Sequence, residues 1–265
     1  MAAATSPPVS PSVPTPTVSV PRAREGELRD VGTVRRDSVD AQRWSAHGTV
    51  KVTGDVSVVA ATVEGTVSIA GQLRAGAFRS RGMLEVQGPV DVAGSLESSG
   101  GLHANGALHA GEADLRGECV ANGAVSVDRT LVMRGHLSAP SLSAAGVSIQ
   151  GEARIPGDVS ASSVATRFTR DSVLGAVRGG SVSLRAKVPN LVEKVLGRQM
   201  KVTVRRVEAE TVDLEGVDVQ FVRSPRISLG RDAHITEYEG TIVRRHPTAR
   251  VGFESRSPRP YGLWR

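Results

Sequence analysis

Apolar and polar positions alternate with a period of two along most of the chain, in short units that begin with glycine. Residues 82–99 read GMLEVQ, GPVDVA and GSLESS, so Gly82, Gly88 and Gly94 open three successive six-residue units. The third and fifth positions of a unit are apolar or small, and the positions between them are mostly polar. Such alternation is typical of a strand with one buried face, and glycine permits a tight bend without a Cβ clash. The pattern predicts short β-strands separated by corners.

The units continue from Gly48 to about residue 186, with occasional units of five residues. Strands this short do not form a stable meander, and the two-residue turn signals of hairpins are missing between longer strands. Three units make a coil of about 17 or 18 residues, in which each strand pairs in parallel with its equivalent one coil later. We therefore predict an all-β, three-sided parallel β-helix of about eight coils over residues 45–186. Strand-like alternation over residues 201–250 predicts about three further coils.

Three segments depart from this repeat. Residues 1–44 begin with a Pro/Ser/Thr tract, which predicts a disordered tail followed by a linker that ends at Trp44. Residues 187–200 place apolar side chains at helical spacing, which predicts a protruding loop or short amphipathic helix. That segment either packs against the wall of the solenoid or contacts a partner or membrane. Residues 251–265 are predicted to be a mobile tail.

The composition changes this picture in two ways. The chain has 29 Gly but only 3% aromatic residues, which suits a narrow core of small branched side chains better than the core of a large enzyme. The single cysteine, Cys119, rules out an internal disulfide and indicates a reducing compartment. No run has the length of a membrane span, and the N-terminus lacks a signal pattern. We expect a soluble cytoplasmic protein, either free or associated with the membrane surface.

Two stretches resemble the bactofilins, a family of polymer-forming cytoskeletal proteins. They are GTVSIAGQLRAGAFRSRGMLEVQGPVDVAGSLESSG at residues 65–100 and RVEAETVDLEGVDVQFVRSPRISLGRDAHITEYEGTI at residues 206–242. The resemblance extends over roughly residues 45–250. It implies a right-handed parallel β-helix that forms filaments through contacts between rod ends, without a bound nucleotide or other cofactor. Members of this family can bind membranes through short apolar N-terminal segments, and the Pro-rich N-terminus of this chain does not show one.

The assembly expectation also follows from the solenoid itself. Its hydrogen bonds run along the axis, so each terminal coil leaves unpaired backbone groups and an open apolar core. Stacking of ends satisfies both, and a contact that does not close on itself generates a filament. The N-terminal polymerisation face is predicted to consist of Val50, Val52, Val56 and Val58. The opposite face is predicted to include Tyr238, Ile242 and Val243. Alternatively, residues 41–47 and the C-terminal tail fold over the two ends as caps.

Residues with catalytic or metal-binding chemistry are sparse. His103 and His109 occupy outward positions in adjacent units. They either bind a metal or act as a general base, or they are surface residues without such a role. We prefer the second interpretation because no further ligands accompany them. Acidic residues at outward positions are expected to form a solvated face: Glu112, Asp114 and Glu118. Cys119 is expected to point inward. No phosphate-binding loop, dinucleotide fingerprint or nucleophile elbow is present. We predict that the protein is not an enzyme and holds no metal or cofactor.

The net charge of +6 is concentrated near the C-terminus, because residues 187–265 carry 15 basic and 10 acidic groups, a net +5. Basic and aromatic residues together in a tail suit anionic lipid headgroups or nucleic acid. The tail residues with this chemistry are Arg256, Arg259, Tyr261, Trp264 and Arg265. Further arginines that could extend this surface are Arg205, Arg206, Arg244, Arg245 and Arg250.

Two functional interpretations result. The leading one is a cytoskeletal scaffold whose partner is itself, in a filament, and whose tails recruit other proteins. The alternative is a monomeric β-helix that presents its basic C-terminal third to DNA or an anionic membrane.

Overall fold

The chain is a parallel β-solenoid. The computed structural model describes residues 25–187 and 200–255, and within these ranges it contains strands and no helix. The strands are β1 Glu25–Arg36, β2 Val39–Val52, β3 Val56–Ile69, β4 Leu73–Val86, β5 Val90–Ala104, β6 Leu108–Ala121, β7 Val125–Ser138, β8 Leu142–Phe168, β9 Ser172–Ala186, β10 Val202–Glu215, β11 Asp218–Leu229, β12 His234–Arg245 and β13 Arg250–Glu254. Each pairs with the next, and the thirteen form one sheet in sequence order. The predicted β-helix is confirmed.

Equivalent residues in neighbouring coils pair in parallel, as the repeat predicts. Between β3 and β4 the pairing runs from Val56 with Leu73 to Ile69 with Val86 without a shift. Where a coil has an extra residue, the ladder shifts locally, as it does after Ala75 in the pairing of β4 with β5. Since a coil spans about 17 residues, β8, with 27 residues, is longer than one coil. Because paired residues are a nearly constant number of positions apart in the sequence, apolar side chains stack on apolar ones along the axis.

Glycines mark the corners of the coil. A Cβ built on Gly82, Gly88 or Gly94 would lie 2.1, 2.7 or 2.6 Å from the carbonyl oxygen of a glycine one coil earlier. These three positions per coil make the solenoid three-sided. We use the name glycine column for the set that contains Gly82. Its members pair with one another and all have positive φ: Gly32, Gly48, Gly65, Gly82, Gly100, Gly117, Gly135 and Gly151.

One continuous hydrophobic core runs along the axis, formed by inward side chains of Val, Leu, Ile and Ala from the successive coils. The alternating burial of the strands follows the alternating sequence, as in β3, where Val56, Val58 and Val67 are buried. The large aromatics in this core are Trp44, Phe78 and Phe168. A core one side chain deep on each wall needs few aromatic residues, which explains the composition.

The solenoid begins earlier than predicted. Residues 25–44 were expected to be linker, but they form β1 and the first part of β2, and Trp44 is 1% exposed. The repeat is present in this segment: Gly26 and Gly32 are six residues apart, and Leu28 and Val34 each follow two positions later. Charged residues at the other positions obscured it, so the boundary at residue 45 is wrong.

The C-terminal boundary also moves. β13 pairs with β12 in parallel, from Arg250 opposite His234 to Glu254 opposite Tyr238. The beginning of the predicted tail is therefore a strand of the solenoid. Most of the predicted segment 187–200 and the predicted disordered residues 1–21 lie outside the described ranges, as do residues 256–265. The right-handed winding implied by the resemblance stays a prediction.

Candidate functional site

The valines predicted to form the N-terminal face lie inside the solenoid instead. All four are at most 1% exposed: Val50, Val52, Val56 and Val58. β1 covers the first two, and β2 covers the other two. Because β1 precedes them in the described part of the solenoid, these side chains stack between coils and are not at an end. The prediction that these four residues lie at the N-terminal end is therefore wrong, because β1 lies there in the described solenoid.

An ion pair closes the core at the N-terminal end. Asp30 points inward and is 3% exposed; its Oδ1 lies 2.6 Å from Nη2 of Arg36. Trp44 Nε1 donates a hydrogen bond to Asp30 Oδ2 at 3.0 Å. The hydrogen bonds from Arg36 hold the pKa of Asp30 below its usual range, against the effect of burial. We call Asp30 and Arg36 the N-terminal ion pair; it puts polar groups at positions where later coils place mostly aliphatic side chains.

β1 also presents a free edge. Leu28 and Val34 pack partly buried against the core, so the inward face of the strand is apolar on both sides of Asp30. Among the described residues, β1 pairs only with β2. Its other edge therefore carries backbone N–H and C=O groups without a strand partner, which is the usual template for strand addition.

The C-terminal end contains the three residues predicted for it. Tyr238 and Ile242 are partly buried against the core, and Val243 is 61% exposed. Within the described ranges, β13 covers β12 from His234 to Tyr238 and leaves the rest of that strand uncovered. Ile242 and Val243 thus lie on a second unpaired edge, and their role in polymerisation stays a prediction.

The three most exposed large apolar side chains of the described ranges lie in the terminal strands. Six large hydrophobic residues of the described ranges are exposed: Val31, Val59, Met83, Val173, Val243 and Phe253. The three most exposed are Val31 at 65%, Phe253 at 62% and Val243 at 61%, and they belong to β1, β13 and β12. Val31 therefore lies at the N-terminal end of the described solenoid, and Val243 and Phe253 lie at the C-terminal end.

The wall between the ends carries charge pairs that join neighbouring coils. Arg79 lies 2.8 Å from Glu97 in the next coil. Arg178 contacts Asp158 at 2.8 Å in the preceding coil and Glu208 at 3.2 Å in the following one. The acidic residues predicted to be a solvated face take part as well: Glu112 pairs with Arg129 and Asp114 with Arg134 of the next coil, and Asp114 also pairs with Arg116 of its own strand. Each exposed pair contributes little, but together they favour the native register over a shifted one.

The two histidines of interest do not share a site. His103 Nε2 lies 3.7 Å from Glu118 Oε2, and His109 Nε2 lies 3.8 Å from Asp128 Oδ2. Each imidazole thus faces a carboxylate of the next coil. Throughout the described ranges, no group of three or more His, Cys, Asp or Glu side chains is arranged to hold a metal ion. Both arrangements are explained by packing of polar side chains on the wall.

A groove beside the glycine column contains the most buried glutamate of the described residues. Its lining includes Gly135, Gly151, His136, Glu152 and Arg154. Glu152 is 8% exposed; its Oε1 lies 2.9 Å from Arg154 Nε, and its Oε2 lies 3.4 Å from His136 Nδ1. The carboxylate is thus close to two basic side chains, although His136 Nδ1 is buried without a hydrogen-bond partner in the described structure.

The thiol offers no reactive group. Cys119 is fully buried in the core, as predicted for an inward position. Burial raises the pKa of its thiol to about 12, so the nucleophilic thiolate is scarce at neutral pH.

The basic C-terminal third divides into paired and unpaired arginines. Arg206 lies over the ring of Phe221, 4.6 Å from its centroid, and its Nε donates to Glu208 at 2.8 Å. Arg205, Arg244 and Arg250, by contrast, are exposed, and no carboxylate of the described ranges pairs with them. Sequence also assigned a role to Arg256, Arg259, Tyr261, Trp264 and Arg265, which lie outside the described ranges.

The described part of the chain contains no helix that is long and apolar enough to span a membrane. No protein-family model, curated protein or solved structure matches the chain.

Proposed function

We propose that this protein is a structural protein whose rods join end to end into a filament that acts as a scaffold. The observation that carries the proposal is that both terminal coils, β1 and β12–β13, leave a strand edge unpaired among the described residues. Filament formation needs no nucleotide, because the energy comes from strand pairing and apolar burial at the joints.

The internal coils support this proposal by their repeated geometry. Every internal strand is paired on both edges. A coil added at either end would therefore give the terminal strand a partner on its second edge, as the internal strands have. Val31, Val243 and Phe253 supply exposed apolar area at the ends. A joint between unlike ends leaves one free end of each kind and can be repeated, which produces a filament and not a closed oligomer. A joint between like ends yields a filament only if it alternates with a second kind of joint.

The N-terminal ion pair is compatible with such a joint. Inward charges at an edge are a known device against uncontrolled strand addition. Here Asp30 and Arg36 neutralise each other, while Leu28 and Val34 remain available on the same face. The pair therefore favours a partner of matching chemistry over nonspecific strand addition.

The test is electron microscopy and sedimentation of the purified full-length chain at moderate salt. We expect filaments from the natural sequence. Leu28→Asp and Ile242→Asp each place an uncompensated charge on an end face and should leave isolated short rods. Val173→Asp is the matched control, since Val173 is 52% exposed on the wall in the middle of the rod, and it should assemble normally. Circular dichroism checks that all three variants keep their strands.

Isolated rods from the natural sequence would contradict the proposal, as would normal filaments from both end variants. The second candidate function, a monomeric module that binds DNA or an anionic membrane, is favoured by the exposed, unpaired Arg205, Arg244 and Arg250. It predicts salt-dependent binding of isolated rods to DNA or to anionic vesicles. A variant that ends at residue 255 separates the contribution of these arginines from that of the residues beyond.

A further inference from the structure

Inward side chains form rows that can be followed from one end of the solenoid to the other. Through the strand pairings and the hydrogen bonds that join the turns of β8, the row that begins at Leu28 ends at Ile242. The neighbouring row begins at Asp30 and ends at Arg245. A third begins at Arg36 and ends at Val251.

These rows relate the two free edges to each other. Residues 25–36 at the N-terminal end and residues 240–251 at the C-terminal end occupy the same stretch of the coil's cross-section. Both stretches begin at the same corner of the coil and continue along the same two walls. The β1 strand of a second copy can therefore continue the solenoid from residues 240–251 in the parallel register that the internal coils use.

Side-chain chemistry in this register is complementary in two of the three inward rows, whereas in the third row Arg36 would lie on Val251. Leu28 would stack on Ile242, an apolar side chain on an apolar one. Asp30 would lie next to Arg245, so the buried carboxylate of the N-terminal ion pair gains a second cation. Outward, Arg35 would face Arg250; both are exposed, and repulsion between exposed charges is reduced by salt.

Net charge separates this joint from the alternatives. Residues 25–36 carry three acidic and three basic groups, a net charge of zero, whereas residues 240–254 carry three arginines and one glutamate, a net +2. A joint between two C-terminal ends brings +2 against +2, which is unfavourable. A joint between two N-terminal ends is neutral but, used alone, yields only a dimer. Continued growth therefore requires a joint between unlike ends.

We propose that copies of this chain join head to tail, with β1 of one copy pairing in parallel with residues 240–251 of the next, to give a polar filament. This proposal rests on the end-to-end assembly proposed above and adds the pairing partner, the register and the polarity.

Cysteine cross-linking tests the proposal directly, because the natural chain has one cysteine and it is buried. Arg35 and Arg250 are the two ends of one outward row, and Val173 lies in the middle of that row. Three full-length proteins are prepared, each with one substitution: Arg35→Cys, Arg250→Cys or Val173→Cys. Pairs are mixed, oxidised with oxidised glutathione and digested, and the linked peptides are identified by mass spectrometry. Sedimentation of the unmodified chain is measured in parallel.

We expect the disulfide between positions 35 and 250 to form at least about tenfold faster than any disulfide with position 173, because strand neighbours lie within disulfide reach. Assembly of the unmodified chain without a 35–250 disulfide, or with 35–35 and 250–250 disulfides in its place, overturns the head-to-tail joint and leaves the proposed filament standing. Absence of assembly together with absence of every cross-link overturns both.

Discussion

At the scale of single residues, the corners of the solenoid are set by contacts between backbones. Gly135 has a φ of 137°, and a Cβ at this position would lie 2.0 Å from the carbonyl oxygen of Gly117 in the preceding coil. A backbone oxygen held in a strand ladder cannot rotate away as a side chain can. Glycine is therefore required in the glycine column from Gly48 onwards for two independent reasons, the left-handed backbone and the closeness of the next coil.

Gly135→Ala should lower the free energy of unfolding by at least about 2 kcal/mol, since it adds both strain and a clash. Urea unfolding followed by circular dichroism measures the change. Gly146→Ala is the matched control in β8, because a Cβ at Gly146 would meet no atom closer than 3.5 Å and φ there is ordinary. Its effect should stay within about 0.5 kcal/mol. Equal losses in the two variants would show that the column is not a steric requirement.

At the scale of elements, β1 differs from every strand that follows it. It is the terminal strand, it has charges at inward positions, and its Asp30 is held by Arg36 and by Trp44 of β2. The three groups join β1 to β2 through side chains in addition to the backbone ladder. This strand is the element on which both the stability of the N-terminal end and the proposed joint depend.

Acid should loosen β1 before the rest of the rod. The pKa of Asp30 is lowered in the folded chain, so its pairing with Arg36 contributes stability above the unfolded pKa of about 3.9. That contribution is lost as the pH falls through the lower folded value. Hydrogen exchange of β1 peptides, compared between pH 5 and pH 3 after correction for intrinsic rates, should show selective loss of protection.

The matched variant for this measurement is Asp30→Asn, which keeps the shape of the side chain and removes its charge. Its β1 should already be less protected at pH 5, with a smaller further change on acidification. The same acid response in the variant and in the natural sequence would assign the effect to other groups.

At the scale of the whole molecule, the rod is a linear stack in which each coil contacts only its neighbours. The sheet order follows the chain from β1 to β13 without a crossover. Stability in such a stack is close to a sum of coil and interface terms. Whole coils can therefore be removed or added. A change that is not a whole coil moves inward residues to outward positions and is not tolerated.

Deletion of residues 66–82 removes one coil and joins Gly65 to Met83, which takes the place of Thr66, its partner in the next coil. The shortened protein should fold, with a rod shorter by about 4.8 Å in small-angle scattering and a cooperative thermal transition. Deletion of residues 66–74 is the control: it joins Gly65 to Ala75 and exchanges inward and outward positions. Cooperative folding of this control would mean that the inward pattern does not set the register.

Much of the fold could be predicted from the sequence because its signals are local. Period-two alternation indicates which side chains of a strand such as β3 point inward, and glycines such as Gly82, Gly88 and Gly94 indicate the corners. The start of the solenoid was not predicted, since Asp30 and Arg36 look like the charges of a linker. Their pairing, and the hydrogen bond from Trp44, appear only when the coil brings residues 6 and 14 positions apart into contact. For the same reason, Val50, Val52, Val56 and Val58 were placed at an end that β1 covers.

The strands from β2 onwards, the corners and the length of a coil can be predicted from the sequence, because these features depend on neighbours within a few residues. Which charges meet depends on the register between coils, as in the pair of Arg79 with Glu97, 18 residues apart, and so it is known only from the tertiary structure. The relation between Asp30 and Arg245 at opposite ends depends on every coil between them. That relation arises from stacking along the whole axis, and no local pattern encodes it.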